Sequence, residues 1–449
     1  MVFAIVVALS LTLSIVFLGY MVVLSITYLR RRPGGEGSAE DFEWHFLIPC
    51  RDEEAVIGAT LAYLRVAFPG THVWVVDDAS EDSTRSVVSR LAATDDAIHL
   101  ISRELPNART GKGDALNAAY QRLLGTTRDA GRTIVGVVDA DGRPASNCLA
   151  VLAAERLFGR AAVGAVQIEV RMMNRSARTP LPGRGRTKNL FARTLVRMQD
   201  LEFRGPIAAL QLLRRRAGTA AMGGNGQFTR LSALRDIDCG DGRPWRGSLL
   251  EDFELGVHLL LAGSATEFTV DTWVEQEALP DFRRFVTQRT RWGQGVMQCA
   301  RYLPRLWRSD HLGNLAVLEM SYYLFQPWLQ LLGTFVFPIP IVVFAAGIAD
   351  RPDAMWSSLS EGLWALLLAY LLIGIGQFAI WGVLYRNRSE RGKSFARSVG
   401  WGLAYVGYVY VFYLTSWRAA TRLVLRRNGW AKTRRNSEVV LSGPVAKEA

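Results

Sequence analysis

The sequence predicts an α/β fold in which a mixed, mostly parallel sheet is inserted between transmembrane helices. Short runs rich in β-branched residues alternate with helix-like runs from residue 43 to about residue 170, which is typical of a parallel sheet flanked by helices. Apolar stretches long enough to cross a bilayer lie before and after this region. Hydrophobic residues make up 49% of the 449 residues and charged residues 21%, which fits a soluble domain joined to membrane segments.

The predicted strands and helices of the soluble domain follow one another closely. Strands are expected at 44–50, 72–78, 97–103, 133–141 and 165–170. Helices are expected at 53–67, 81–93, 113–124 and 146–158. Residues 171–219 are rich in Arg and Gly and predict a loop followed by an amphipathic helix. Because such sheets bind ligands at the carboxyl ends of their strands, the functional residues are expected there.

The N-terminal segment, residues 1–32, is predicted to be a transmembrane helix. Residues 2–29 are apolar and almost uncharged, and three arginines follow them directly. A cleaved signal peptide is the competing interpretation, but the run is too long and lacks a basic start. The basic end is expected in the cytoplasm, followed by a flexible linker at 33–42 and a cytoplasmic domain at 43–312.

The C-terminal region, residues 313–427, is predicted to hold transmembrane and interfacial helices. Its three apolar segments lie roughly at 315–348, 362–384 and 399–416. Residues 428–449 form a basic and then flexible tail. These segments predict a multi-pass protein of the cell membrane.

The charges between the C-terminal segments leave their topology open. The loop at 349–361 is acidic and polar, which places it outside, and the loop at 385–397 is basic, which places it inside. The basic tail after Ser416 then conflicts with the positive-inside rule. Either the last segment does not cross the bilayer or the first one crosses twice.

The net charge of +12 allows two kinds of partner, nucleic acid or anionic lipid. The basic residues flank apolar spans, and the sequence has no recognisable nucleic-acid-binding motif, so the bilayer is the expected partner. The four cysteines are too far apart in sequence for a metal knuckle or redox pair and are predicted to be reduced thiols: Cys50, Cys148, Cys239 and Cys299.

Two of the predicted strands end in carboxylates. Asp77 and Asp78 follow one apolar run, where a cap for the next helix competes with a site for a nucleotide base and ribose. Asp139 and Asp141 follow another run, spaced by one residue. Magnesium and manganese need hard oxygen ligands and bind through one or two carboxylates plus phosphates, so this pair is a candidate metal and diphosphate site.

Three further motifs carry candidate chemistry, each beside a structural alternative. Lys112 could neutralise a diphosphate, although the surrounding sequence is no Walker A motif and a solvated helix start is the alternative. The glycine cluster with Gly224, Asn225 and Gly226 permits close approach of an acceptor, or forms a tight turn. The third of these motifs is the acidic pair of Glu251 and Asp252, which provides a general base or complements a helix dipole.

The last motif lies shortly before the C-terminal apolar region. Arg291 could clamp phosphates and Trp292 could stack under a sugar ring, with Gln288 one turn earlier. The alternative is an Arg/Trp anchor at the bilayer surface.

Taken together in this order, the motifs resemble those of the family-2 glycosyltransferases. The shared pattern is an Asp, an Asp-x-Asp, an Asp in an acidic pair, and Gln-x-x-Arg-Trp. More narrowly, the chain resembles membrane-integrated synthases of the cellulose, chitin, hyaluronan and poly-N-acetylglucosamine type. The resemblance covers about residues 43–300 and the flanking membrane layout. It implies a nucleotide-sugar-binding fold of the GT-A type.

The resemblance implies a role for each acidic strand end. Asp77 and Asp78 would hold the uridine moiety of a UDP-sugar donor. Asp139 would contact the sugar nucleotide, Asp141 would bind Mg²⁺ or Mn²⁺, and Lys112 would contact the diphosphate.

It also implies roles for the later motifs. Asp252 would be the catalytic base, with Glu251 shaping the site. Gln288, Arg291 and Trp292 would bind the diphosphate and the acceptor sugar end. The expected reaction is inverting transfer to a growing β-linked polysaccharide, with translocation of the product and accessory secretion subunits as conceivable partners.

Two departures from the family pattern leave the identity of the product open. Leu250 precedes the acidic pair where many relatives carry Thr, and the cluster at 223–228 differs from the acceptor loops of cellulose synthases. The nearest alternative is a non-processive enzyme that makes a glycolipid, similar to ceramide glucosyltransferases. A non-catalytic membrane scaffold is a more distant alternative, against which the intact carboxylate set argues.

Overall fold

The computed structural model describes residues 2–31, 33–350 and 372–427, together with five isolated residues between 353 and 368. The predicted tail at 428–449, most of the predicted loop at 349–361 and the first ten residues of the predicted segment at 362–384 lie outside the described ranges or among those isolated residues.

An eight-stranded sheet forms the centre of the protein. Its strands are β1 (Glu43–Cys50), β2 (His72–Asp78), β3 (Ile98–Arg103), β4 (Thr133–Val137), β5 (Arg143–Pro144), β6 (Val163–Met172), β7 (Gln227–Arg230) and β8 (Ala265–Gln276). The spatial order is β3-β2-β1-β4-β7-β6-β8-β5. The β3-β2-β1-β4 half and the β6-β8 pair are parallel, whereas β7 and β5 pair antiparallel, which confirms a mixed and mostly parallel sheet.

Helices cover the sheet and extend beyond it. Around the first half of the sheet lie α2 (Ile57–Ala67), α3 (Thr84–Ala92), α4 (Lys112–Leu124) and α5 (Cys148–Leu152). Then follow α6 (Arg186–Glu202), a π-helical turn (Phe203–Ile207), α7 (Ala208–Arg215), α8 (Leu231–Asp236), α9 (Glu251–Leu261), α10 (Phe282–Cys299) and α11 (Leu303–Trp307). The flanking helices are α1 (Val2–Leu29), α12 (Asn314–Val336), α13 (Pro338–Asp350), α14 (Gln377–Ser389) and α15 (Phe395–Val424).

Successive residues of the central strands face two separate cores. Val73 and Val75 of β2 pack in one apolar cluster with α2 and α3. Trp74 and Val76 pack in the other, with α4, α7 and α9. Because side chains alternate along a strand, burial on both faces explains why these strands read as nearly continuous apolar runs. The parallel pairing of β1 with β2 and with β4 brings the ends of these three strands to one edge of the sheet.

The flanking helices bear on the predicted membrane layout. Among the described residues, the one helix long and apolar enough to cross a bilayer is α1, over Leu11–Leu29. The segment predicted at 315–348 forms α12 and α13, and the segment predicted at 399–416 lies within α15. The helices α14 and α15 cross closely, since a Cβ added at Gly382 would lie 2.2 Å from the carbonyl oxygen of Ser398. The multi-pass prediction therefore gains no support from the helices described.

Candidate active site

A cavity of about 310 Å³ lies at the edge of the sheet, between the strand ends and the helices α4, α7, α9, α10 and α12. Most of the residues singled out from the sequence line it: Lys112, Asp139, Gly224, Asn225, Glu251, Asp252, Gln288, Arg291 and Trp292. Five separate segments of the chain thus meet in one cavity, although up to 180 residues separate them in sequence. The sequence predicted these residues one motif at a time, and the fold brings them together.

Lys112 links three of these segments. It is the first residue of α4, and its Nζ donates to Asp139 Oδ1 at 2.7 Å and to the carbonyl oxygen of Gly224 at 2.6 Å. Burial alone would lower the pKa of Lys112, but the carboxylates of Asp139 and Glu251 raise it above the usual value. The ammonium group is therefore charged and fixed in place at neutral pH.

The acidic pair opens α9 and faces the same cavity. Burial raises the pKa of Glu251, and the neighbouring Asp252 carboxylate raises it further. Burial also raises the pKa of Asp252, against the opposing charges of Lys112 and Arg291. A carboxylate whose pKa lies nearer to neutrality is a stronger base, so this pair is suited to accept a proton from a hydroxyl.

The glycine cluster crosses the cavity between Lys112 and the acidic pair. A Cβ added at Gly224 would lie 3.0 Å from Asp252 Oδ2 and 3.0 Å from Lys112 Nζ, so a side chain here would fill the space between them. Asn225 accepts from the backbone amide of Asp139 at 3.2 Å through Oδ1. The cluster therefore binds the end of β4 through Asn225 and lies beside the start of α9.

The end of β4 offers hard oxygen ligands for a divalent cation. Asp141 is buried, and its Oδ2 accepts from the backbone amide of Glu277 at 3.0 Å. Asp139 lies two residues away, partly exposed to the cavity. Among the described residues, no group of three or more His, Cys, Asp or Glu side chains is arranged to hold a metal. Two carboxylates fit Mg²⁺ or Mn²⁺ when phosphate oxygens and water supply the other ligands.

Three predicted residues lie on the cavity-facing side of α10. Gln288, Arg291 and Trp292 are spaced by three and four residues, so they share one face of the helix. Arg289 faces away, and its Nη2 donates to Glu202 Oε2 at 2.6 Å. The guanidinium carbon of Arg289 lies 4.0 Å from the ring centre of Trp292 and so fixes the ring from behind.

The comparisons with known proteins agree with this architecture. Residues 44–295, more than half of the chain, match the family model described as glycosyltransferase like family 2. The chain belongs to glycosyltransferase family 2.

The relatives of this family-2 glycosyltransferase include enzymes named for a glycolipid product. It is 27% identical over 411 residues to the beta-monoglucosyldiacylglycerol synthase of Synechocystis sp., covering 86% of this chain and 74% of that protein. It is 30% identical over 261 residues to the protein of the same name from Trichormus variabilis, covering 57% of this chain and 49% of the relative. The chain thus spans about half the length of the second relative.

A solved structure shows the same fold. The mannosyltransferase of Pyrobaculum calidifontis, solved in complex with GDP-Man and Mn²⁺, superposes with a TM-score of 0.56 at 17% identity. The match covers 95% of this chain and 100% of that one. The sheet of this family-2 glycosyltransferase is therefore GT-A-like.

Four predicted site residues of this glycosyltransferase lie outside the cavity lining formed by the described residues: Asp77, Asp78, Asp141 and Gly226. Asp78 accepts from Arg103 and from the backbone amide of Arg109 at 3.0 Å, so it organises the loop before α4. Gly226 has a φ of +73°, and a Cβ there would lie 2.7 Å from Ile168 and Val274. Gly226 thus serves the backbone conformation, and its predicted contact with the acceptor stays a prediction.

The residues that hold these motifs in place were not predicted from the sequence. Gln167 of β6 accepts from the backbone amide of Gly223 and donates to the carbonyl oxygen of Asn225, both at 2.8 Å. Glu202 and Tyr408 hold Arg289, which supports Trp292 of this glycosyltransferase. These side chains belong to unrelated stretches of sequence, and the signal for Gln167 is a polar residue within the largely apolar run of β6.

Proposed function

We propose that this glycosyltransferase moves a sugar from a UDP-sugar to the hydroxyl of a lipid, and so makes a glycolipid in a single, non-processive transfer. The observation that carries the proposal is the division of the cavity into two halves. One half holds Lys112, Asp139, the acidic pair and Arg291. The other half is lined by the apolar or aromatic side chains of Phe203, Ile207, Leu210 and Tyr323, together with Gln211 and Arg214.

Each half suits one of the proposed substrates. The charged half can bind a nucleotide diphosphate, whereas the apolar half can bind a hydrocarbon chain. Both α7 and α12 pack against α1, the helix that is able to cross a bilayer. The apolar half therefore lies toward the proposed membrane. The names of the Synechocystis and Trichormus relatives also favour the glycolipid.

The proposed reaction assigns a role to each residue of the charged half. Asp252 takes the proton of the acceptor hydroxyl as its oxygen attacks the anomeric carbon, and the bond from that carbon to the β-phosphate oxygen breaks. Attack from the face opposite the leaving group inverts the anomeric carbon and gives a β linkage. Lys112 and Arg291 stabilise the negative charge that collects on the departing diphosphate.

A divalent cation is part of the proposal. When bound, Mg²⁺ or Mn²⁺ would neutralise charge on the diphosphate and orient it. Asp141 and Asp139 are the residues that would hold it.

The protein is also proposed to lie at the membrane, because α1 is long and apolar enough to cross a bilayer. We infer that α1 anchors the chain and that the catalytic domain faces the cytoplasm, where nucleotide sugars are made. Along α15, a stripe of apolar side chains is exposed and suits contact with lipid: Phe395, Val399, Leu403, Tyr410 and Leu414.

The product distinguishes the two main functions. Purified enzyme incubated with labelled UDP-glucose and diacylglycerol is expected to give one lipid-soluble product that carries a single sugar. Thin-layer chromatography and mass spectrometry of the extract measure this. A ladder of oligosaccharides, or a long chain that resists extraction into organic solvent, would instead establish processive synthesis.

Metal removal is expected to abolish transfer. Excess chelator should reduce the initial rate to background, and added Mg²⁺ or Mn²⁺ should restore it, because the diphosphate leaves poorly without a neutralising cation. Asp141→Asn should raise the metal concentration that gives half of the maximal rate by about tenfold or more. Full activity in excess chelator would refute the metal assignment, and Asp238→Asn, outside the cavity lining, serves as the control.

A further inference from the structure

The apolar half of the cavity is walled by one face of a helix. Phe203, Ile207 and Leu210 are spaced by four and three residues along the π-helical turn and α7, and all three line the cavity. Tyr323 of α12 also lines it. The ring centre of Tyr323 lies 5.3 Å from that of Phe253, which directly follows Asp252 in sequence. The apolar half is therefore continuous with the acidic pair.

One charged side chain lines this apolar half. Arg214 lies one turn beyond Leu210, and its side chain is only 2% exposed. Its Nε donates to Glu319 Oε2 at 2.7 Å and its Nη2 to Glu319 Oε1 at 3.0 Å. Tyr20 of α1 donates to the same Oε1 at 3.0 Å. Three helices thus fix the guanidinium group, whose carbon lies 4.4 Å from the ring centre of Tyr323.

Part of the guanidinium group remains available to a ligand. A guanidinium carries five N–H donors, and the two bonds to Glu319 use only Nε and Nη2. Within the ranges that the structure describes, Nη1 of Arg214 has no hydrogen-bond acceptor. Its N–H groups can therefore donate to a cavity occupant that brings an acceptor oxygen.

The charge of the Arg214–Glu319 pair indicates which kind of acceptor oxygen a ligand would bring to Nη1. The carboxylate of Glu319 already neutralises Arg214 in a two-bond arrangement, so the pair as a whole is uncharged. A lipid phosphate would need an additional cation to offset the cost of its burial. A neutral carbonyl oxygen needs only the free N–H groups.

We propose that Arg214, oriented by Glu319 and Tyr20, selects an ester-linked neutral glycerolipid as the acceptor by donating from Nη1 to an ester carbonyl oxygen. This inference rests on the proposed function and adds the class of lipid. The free hydroxyl of the lipid then points toward Asp252, and its acyl chains lie along Phe203, Ile207 and Leu210. Arg214 is a specificity-determining residue and takes no part in the proton transfer.

Three acceptors of matched chain length test the proposal in mixed micelles: a diacylglycerol, a dialkylglycerol that lacks both carbonyl groups, and a dialkylglycerophosphoglycerol, which carries a phosphate and keeps free hydroxyl groups. The wild-type kcat/KM is expected to be about 10- to 100-fold higher for diacylglycerol than for dialkylglycerol, the range of a charge-assisted hydrogen bond. The phosphate-bearing lipid is expected to be the poorest acceptor. Equal use of the two neutral lipids, or preference for the phosphate-bearing lipid, would overturn the proposal.

Variants then assign the preference to Arg214. The double variant Arg214→Met, Glu319→Leu removes both buried charges together, a change that folded proteins often tolerate. Its kcat/KM for diacylglycerol should fall to the dialkylglycerol level, while its kcat/KM for dialkylglycerol should change less than its kcat/KM for diacylglycerol. Arg214→Lys keeps the ion pair but lacks the planar fork, and it should also reduce the ratio. An unchanged ratio in a folded variant would refute the assignment.

The outcomes also separate this inference from the proposed function. If wild-type enzyme glycosylates both neutral lipids equally well, the function stands and the role of Arg214 is wrong. If it glycosylates none of the three lipids but extends a polysaccharide, the proposed function and the proposed acceptor class are both wrong.

Discussion

Replacing Asp252 by Asn is expected to lower kcat by about 10²- to 10⁴-fold, the range for loss of a general base. The amide is close in size to the carboxylate, so the start of α9 and the cavity should keep their shape. The affinity for the UDP-sugar should stay nearly unchanged, because Lys112 and Arg291 remain in place. Steady-state rates and calorimetric titration with UDP measure the two quantities separately.

Glu251→Gln is the matched control for Asp252→Asn. It removes the neighbouring carboxyl group from the same helical turn but leaves the proposed base, so a clearly smaller loss of kcat is expected. Wild-type turnover in Asp252→Asn, or a larger loss in Glu251→Gln, would show that the base is wrongly assigned.

The pH dependence of kcat offers an independent measurement on the same pair. A base must be ionised to act, and burial raises the pKa of Asp252. Activity should therefore be lost as the pH falls through this raised pKa, above the ordinary Asp value of about 4. Glu251→Gln should keep this acid limb, whereas the residual rate of Asp252→Asn should lack it.

The strands that organise the site could be predicted because their burial leaves a strong pattern. Val73 and Val75 face one core while Trp74 and Val76 face the other, so β2 reads as a continuous apolar run that stops at Asp77. The strand β7 escaped prediction because it has only four residues and directly follows the glycine cluster. The strand β8 interleaves Thr, Glu and Asp with its apolar residues, which weakens its pattern although it pairs along β6.

The sequence predicts the chemistry of each motif but not the contacts between motifs. The residue types of Lys112 and Asp139 suggest phosphate and metal binding, but their 2.7 Å contact depends on α4 beginning at the sheet edge where β4 ends. Arg214 gave no signal in the sequence, since an arginine near the end of a helix usually complements the dipole. The proposed role of Arg214 depends on its hydrogen bonds to Glu319, which lies 105 residues later in the chain.

Replacing Lys112 by Met is expected to lower kcat/KM for the UDP-sugar by about 10²- to 10³-fold, the effect of losing one preorganised charge at a developing anion. The substitution also leaves Asp139 Oδ1 and the carbonyl oxygen of Gly224 without their shared donor. The free energy of unfolding should therefore fall by about 1.5–3 kcal/mol, as for hydrogen bonds to a charged group. Calorimetric UDP binding, initial rates and denaturant titration measure these effects.

Lys188→Met is the matched control, because the same substitution at this exposed position of α6 removes a positive charge away from the cavity. It should change neither kcat/KM nor stability appreciably. Comparison of the two variants separates the local contacts of Lys112 from the general effect of lowering the net charge by one. If Lys112→Met binds UDP as tightly as wild type and transfers sugar at the same rate, the diphosphate does not lie between Lys112 and Arg291, and the charged half of the cavity must hold another part of the substrate.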